Sequence, residues 1–117
     1  MIRKYLAKKE KNGSHIKWIL NLRKNDKILK YLNHPKLSDF SQKGPVTPDH
    51  VIRIKPKPLI LNLKNIKTEK LDNVIKKEIQ KFKINYHKYF VKNRKYVKKA
   101  IELDTNPRLI FVPGLGM

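Results

Sequence analysis

Between Thr68 and Arg94, the apolar residues Leu71, Val74, Ile75, Ile79, Phe82, Tyr86, Tyr89 and Phe90 recur at spacings of three and four. That period puts them on one stripe of an amphipathic α-helix, with lysines filling the opposite face. A helix of this length runs about 40 Å. In a chain of 117 residues, any core must form along it. Thr68 reads as its N-cap, and Glu69 and Asp72 lie in its first turn, where negative charge is favoured. The stripe weakens near Asn93, with Val97, Ala100 and Ile101 as a candidate continuation, so the expected helix covers about residues 68–95.

The flanking segments read as short strands and helices. Residues 1–13 are polar and read as loose chain. HIKWILNLR, His15 to Arg23, has strand-like apolar content. Asn25 or Asp26 then caps a short helix, KILKYLNH, with Ile28, Leu29 and Leu32 on one face. Pro35 ends it, and Leu37 to Pro45 reads as a loop through its Ser, Asp and Gly-Pro content. LILNL, Leu59 to Leu63, and RLIFV, Arg108 to Val112, read as strands, with a turn at Asp104 to Pro107. Strands alternating with helices predict a small α/β unit. Residues 1–24 have no firm assignment, and residues 25–117 form the organised region.

Val46 to Leu61, VTPDHVIRIKPKPLIL, is the most distinctive stretch. Thr47 suits an N-cap and Pro48 the first helical position, where its missing N–H costs nothing. A short helix is therefore expected over about residues 48–54, stopped by Pro56 and Pro58. His50, beside Asp49 and followed by Arg53 and Lys55, could help hold an anion at the helix start. Asp49 competes for the same helix end, so capping and docking stand beside phosphate binding as readings of Thr47, Pro48, Asp49, His50 and Arg53.

Composition narrows the chemistry. There are no cysteines, which excludes disulfides, thiolate catalysis and Cys-based metal sites and fits a cytoplasmic protein. No run approaches the ~20 apolar residues of a membrane span, and MIRKYLAKKEKNG lacks the apolar region of a signal peptide. The four histidines, His15, His34, His50 and His87, show no local metal-binding spacing.

The net charge of +20 admits a small RNA- or ribosome-associated protein. However, Lys, Ile and Asn supply 47 of the 117 residues and Arg only five. AT-rich codons produce that bias, whereas dedicated nucleic-acid binders use the Arg fork. Spread lysines still imply non-specific polyanion binding.

Three weaker patterns remain. Tyr5 and Lys9 match the Tyr-x-x-x-Lys spacing of short-chain dehydrogenases, a match expected by chance in so lysine-rich a chain. RLIFV followed by Gly114 and Gly116 opens like a dinucleotide loop, but there is no third glycine, helix or ribose-binding acid, so a plain glycine turn is expected. The rings of Phe82, Tyr86, Tyr89 and Phe90 could stack bases, but their helical spacing reads as core.

The run KILKYLNHPKLSDFSQKGPVTPDHVIRIKPKPLIL resembles the bifunctional enzymes that fuse a class II aldolase/adducin-type domain to a short-chain dehydrogenase, the rhamnulose-1-phosphate aldolase/alcohol dehydrogenase family. GPVTPDHVIR-x-KP-x-PL is the characteristic part. Tyr86, Tyr89 and Phe90, then LD-x-x-PR-x-x-x-VPGLG from Leu103 to Gly116, agree in order and spacing. The resemblance covers roughly residues 26–117. It implies zinc-assisted cleavage of a sugar phosphate followed by nicotinamide-dependent (NAD) oxidation of the aldehyde, in carbohydrate metabolism. The family's zinc histidines lie upstream of the matched region, and its dinucleotide loop and Tyr-Lys pair downstream. The resemblance thus assigns no catalytic residue, metal or cofactor to this chain. It marks residues 25–117 as a junction region, a fragment whose aldolase and dehydrogenase partners lie in cis or in trans. Thr47, Pro48, Asp49, His50 and Arg53 carry over as a motif without a role.

Overall fold

LILNL and RLIFV are near-continuous apolar runs, the pattern of strands buried on both faces. In the computed structural model, which describes residues 1–117 except the side chain of Lys9, they form the centre of the molecule. Leu59–Ile60 (β3) pairs in parallel with Ile110–Phe111 (β4), Leu59 opposite Ile110 and Ile60 opposite Phe111. Flanking bonds from Leu59 N to Leu109 O (2.9 Å) and from Leu61 N to Phe111 O (2.8 Å) extend the ladder. Parallel strands need a long crossover. Here it contains the long helix Thr68–Asn93 (α5), giving a β-α-β unit and the expected α/β class.

The period-two alternation of the strands divides the core into two layers. Leu59, Leu61 and Val112 face Ile75 and Ile79 of α5, together with Leu6. Phe111 faces the other way, onto Leu32 and Leu37, with Ile60 and Leu109 alongside. The second layer is built by two short helices, Asp26–Leu32 (α2) and Leu37–Ser41 (α3). The side chain of Asn25 caps α2 by accepting from Ile28 N at 2.8 Å, which resolves the choice between Asn25 and Asp26.

Several sequence expectations are corrected. Residues 2–6 are not loose: Ile2–Leu6 is a helix (α1), and Leu6 is 1% exposed in the core. Asp72 on α5 accepts bonds from Tyr5 Oη and, at 2.7 Å, from Lys4 Nζ. Lys83 Nζ donates to Tyr5 O at 3.1 Å, satisfying a carbonyl near the end of α1. Polar composition misled here because one leucine, seated by α5, anchors the segment.

His15 to Arg23 is mostly not strand. Lys8–Lys9 (β1) pairs antiparallel with His15–Ile16 (β2), and beyond Ile16 the chain is irregular, with Ile19 and Leu22 exposed. The expected loop after Pro35 contains α3, because Leu37 and Ser41 turn inward at helical spacing. Thr68 lies inside α5 rather than at its cap, which is Lys67. Helix α5 ends at Asn93, followed by a single 3-10 turn, Arg94–Tyr96. It does not continue through Val97 and Ile101, both of which are exposed.

Candidate functional site

The TPDHVIR segment forms the expected short helix, Pro48–Ile54 (α4), with Pro48 in its first turn and Arg53 in its last. Thr47 has extended backbone at the cap position, but its hydroxyl does not cap the backbone. Instead Thr47 Oγ1 lies 2.6 Å from His50 Nδ1. Thr47, Pro48, Asp49, His50 and Arg53 are all exposed, and no residue of α4 is buried. Among the described residues, neither Asp49 nor Arg53 forms an ion pair. Val46 and Ile52 are 99% and 65% exposed. The helix thus turns both its charges and part of its apolar surface outward.

What secures α4 to the body is the residue that ends it. Lys55 has φ 71°, a left-handed conformation that costs a side chain about 1–2 kcal/mol. Its side chain is only 1% exposed. Its ammonium donates to Asp104 O and lies 3.8 Å from the centroid of the Tyr86 ring. Burial pushes the Lys55 pKa below its ordinary value, opposed by the negative charge of Asp104. A ring face and a carbonyl together replace part of the lost hydration. Sequence reading missed this role, because nothing separates Lys55 from the other lysines except the two prolines that follow.

The Asp104 carboxylate is also engaged. It accepts from Asn106 N at 3.1 Å, closing the expected turn, and pairs with Arg108. The Arg108 guanidinium stands 4.3 Å from the Trp18 ring centroid. Lys55, Asp104, Arg108 and Trp18 therefore tie the end of α4, the strand approach and the irregular N-terminal segment together.

The glycine segment after β4 is a closed turn. Gly114 N donates to Asn33 Oδ1 at 2.7 Å, and Leu115 N and Gly116 N donate to Val112 O. Met117 N and O both bond the backbone of Arg23. These amides are satisfied within the protein, and a Cβ on Gly116 would come within 2.7 Å of Arg23 O. The turn is packed against residues 22–23 and does not fit a pyrophosphate. Tyr5 and Lys9 do not form a one-turn pair either, since α1 ends at Leu6 and Lys9 lies on β1. Among the described residues, no three histidines or carboxylates converge to hold a metal ion, so the residues present do not fit the zinc centre implied by the resemblance. None of the described helices is long and apolar enough to cross a membrane.

The aromatic stripe divides along α5. Phe82 packs against the core, whereas Tyr89 is 42% exposed, so the expectation of core holds for its first part only.

Comparison with known proteins places the chain in a family. A family described as "Aldolase class II, second domain" matches residues 1–117, the whole chain. The chain belongs to this family. The class II aldolase part of the resemblance is thereby established, and the second domain is the unit to which the geometry above applies. One relative is the "Uncharacterized oxidoreductase YuxG" of Bacillus subtilis (strain 168), 32% identical over 103 residues. The match covers 86% of this chain but only 15% of that protein's length. No solved structure matches the chain.

Proposed function

We propose that this second domain is a non-catalytic junction of a larger class II aldolase-related protein. In this reading it joins an aldolase domain acting on a sugar phosphate to a dehydrogenase domain that oxidises the aldehyde product. Zinc and NAD would then be held by those domains and not by this one. The observation that carries the reading is helix α4, whose sequence is the most distinctive in the chain and yet buries no residue in its own domain. The match to a short share of a protein named an oxidoreductase supports the same view. Val46 and Ile52 supply apolar contact area, and His50 and Arg53, one turn apart, supply polar contacts on a shared face.

Docking of α4 onto the aldolase domain is preferred over phosphate binding, because Asp49 occupies the first turn, where an anion would have to sit. The test is His50→Ala with Arg53→Ala in a full-length relative. Docking predicts a lowered melting temperature with KM for the sugar phosphate unchanged. A raised KM with unchanged stability would show phosphate binding instead. No change in either would remove α4 from the account.

A further inference from the structure

Where α5 passes the Pro56–Pro58 segment, a groove of about 450 Å³ opens. That volume is within the range of small-molecule sites. One wall is Pro56 and Pro58, whose rings are rigid; the other carries the rings of Tyr86 and Tyr89. The two tyrosine rings stack at 6.2 Å between centroids, with planes 26° apart. Tyr86 is steadied by the buried Lys55 ammonium 3.8 Å from its centroid.

The rim is basic. Lys57, Lys88 and Lys92 line the groove, and among the described residues no carboxylate does. Nor does any of the three join an ion pair among those residues. Three uncompensated amines around two near-parallel rings match a ligand that joins a flat ring to a phosphate. Rings alone would select any apolar group, and amines alone any anion. Their combination is the usual arrangement for nucleotide units, with stacking tolerant of the base and lysines on the phosphate.

We propose that this groove binds a nucleotide unit, either free or as one residue of a single strand. The proposal is independent of the junction role argued above and does not involve helix α4.

The test is an NMR titration of the whole chain at about 150 mM salt, where loose phosphate attraction is screened. The probes are AMP, ribose 5-phosphate, which keeps the phosphate but lacks the ring, and a short oligouridylate. AMP is expected to saturate with shifts centred on Tyr86 and Tyr89, and ribose 5-phosphate to bind about tenfold or more weakly. Tyr89→Ala should weaken AMP about tenfold while leaving ribose 5-phosphate unchanged, and Tyr89→Phe should retain AMP binding. Tyr89 is exposed enough for its variants to keep the fold, which helical circular dichroism checks. Lys88→Gln with Lys92→Gln should weaken both ligands.

Tighter binding of the oligouridylate than of AMP would identify the strand as the source; the reverse would identify the free nucleotide. The proposal is overturned if ribose 5-phosphate binds as tightly as AMP, if folded Tyr89→Ala binds AMP normally, or if no probe saturates.

Discussion

At the residue scale, the central feature is a lysine doing what composition gives no reason to expect. Lys55 accepts both burial and a left-handed backbone because Tyr86 and Asp104 O receive its ammonium. Lys55→Ala should lose both partners and leave a void, lowering unfolding stability by about 2–4 kcal/mol in urea denaturation. Lys55→Gly loses the same partners but relaxes the φ of 71°, so it should be less damaging than Lys55→Ala by about 1 kcal/mol. Equal losses would show that the backbone there is unstrained.

A second residue-scale prediction concerns Asp72. Bonds from Lys4 first, and Tyr5 second, hold its pKa below the ordinary carboxylate value. A carboxylate depressed in the folded state contributes stability above its unfolded pKa of about 3.9 and loses it as the pH falls through the folded value. The stability difference between the native chain and Asp72→Asn should therefore be constant near neutral pH and shrink below about pH 4. A difference that stays constant down to pH 2 would contradict the assignment.

At the scale of elements, the β-α-β unit explains which helix residues matter. Two strands of two residues span far less than α5, which is about 39 Å long. The strands therefore lie beneath the stretch of α5 that carries Ile75, Ile79 and Phe82, and residues off that stripe face solvent. Ile75 and Ile79 are 2% exposed, while Ile84 and Val91 are 47% and 44% exposed. Ile79→Ala should cost about 2–5 kcal/mol and Val91→Ala less than about 0.5 kcal/mol, by urea midpoint.

The glycine turn gives an equally sharp contrast. Gly116→Ala would drive a Cβ into Arg23 O and Leu22 Cδ1 and break the pairing with Arg23, whereas a Cβ on Gly114 meets nothing within 4 Å. Gly116→Ala should be the more destabilising by at least about 1 kcal/mol in the same measurement.

Much of this was legible in the sequence. The α5 stripe, α4 between Thr47 and Pro56, the two apolar runs and the glycine turn all follow from local period and turn chemistry. Helices α1 and α3 were not legible, because single inward residues such as Leu6 and Leu37 set them through distant contacts. The anchoring of α4 was hidden for the same reason, since Lys55 meets Tyr86 and Asp104 only in three dimensions. The TPDHVIR residues were legible as a helix start, but their exposure was not.

For the whole molecule, the radius of gyration is 15.4 Å, larger than the ~13.4 Å of a compact chain of this length. The two core layers are thin, and Val46, Ile19, Ile52 and Ile101 stand well exposed. The charge of +20 is spread and mostly solvated, so binding to duplex nucleic acid should fall by orders of magnitude between about 50 and 200 mM salt.

The central claim is that the chemistry belongs to domains other than this one. The most direct measurement is an assay of the purified chain with zinc, rhamnulose 1-phosphate and NAD. The account predicts neither aldehyde nor NADH above a protein-free blank; zinc-dependent turnover clearly above that blank would contradict it.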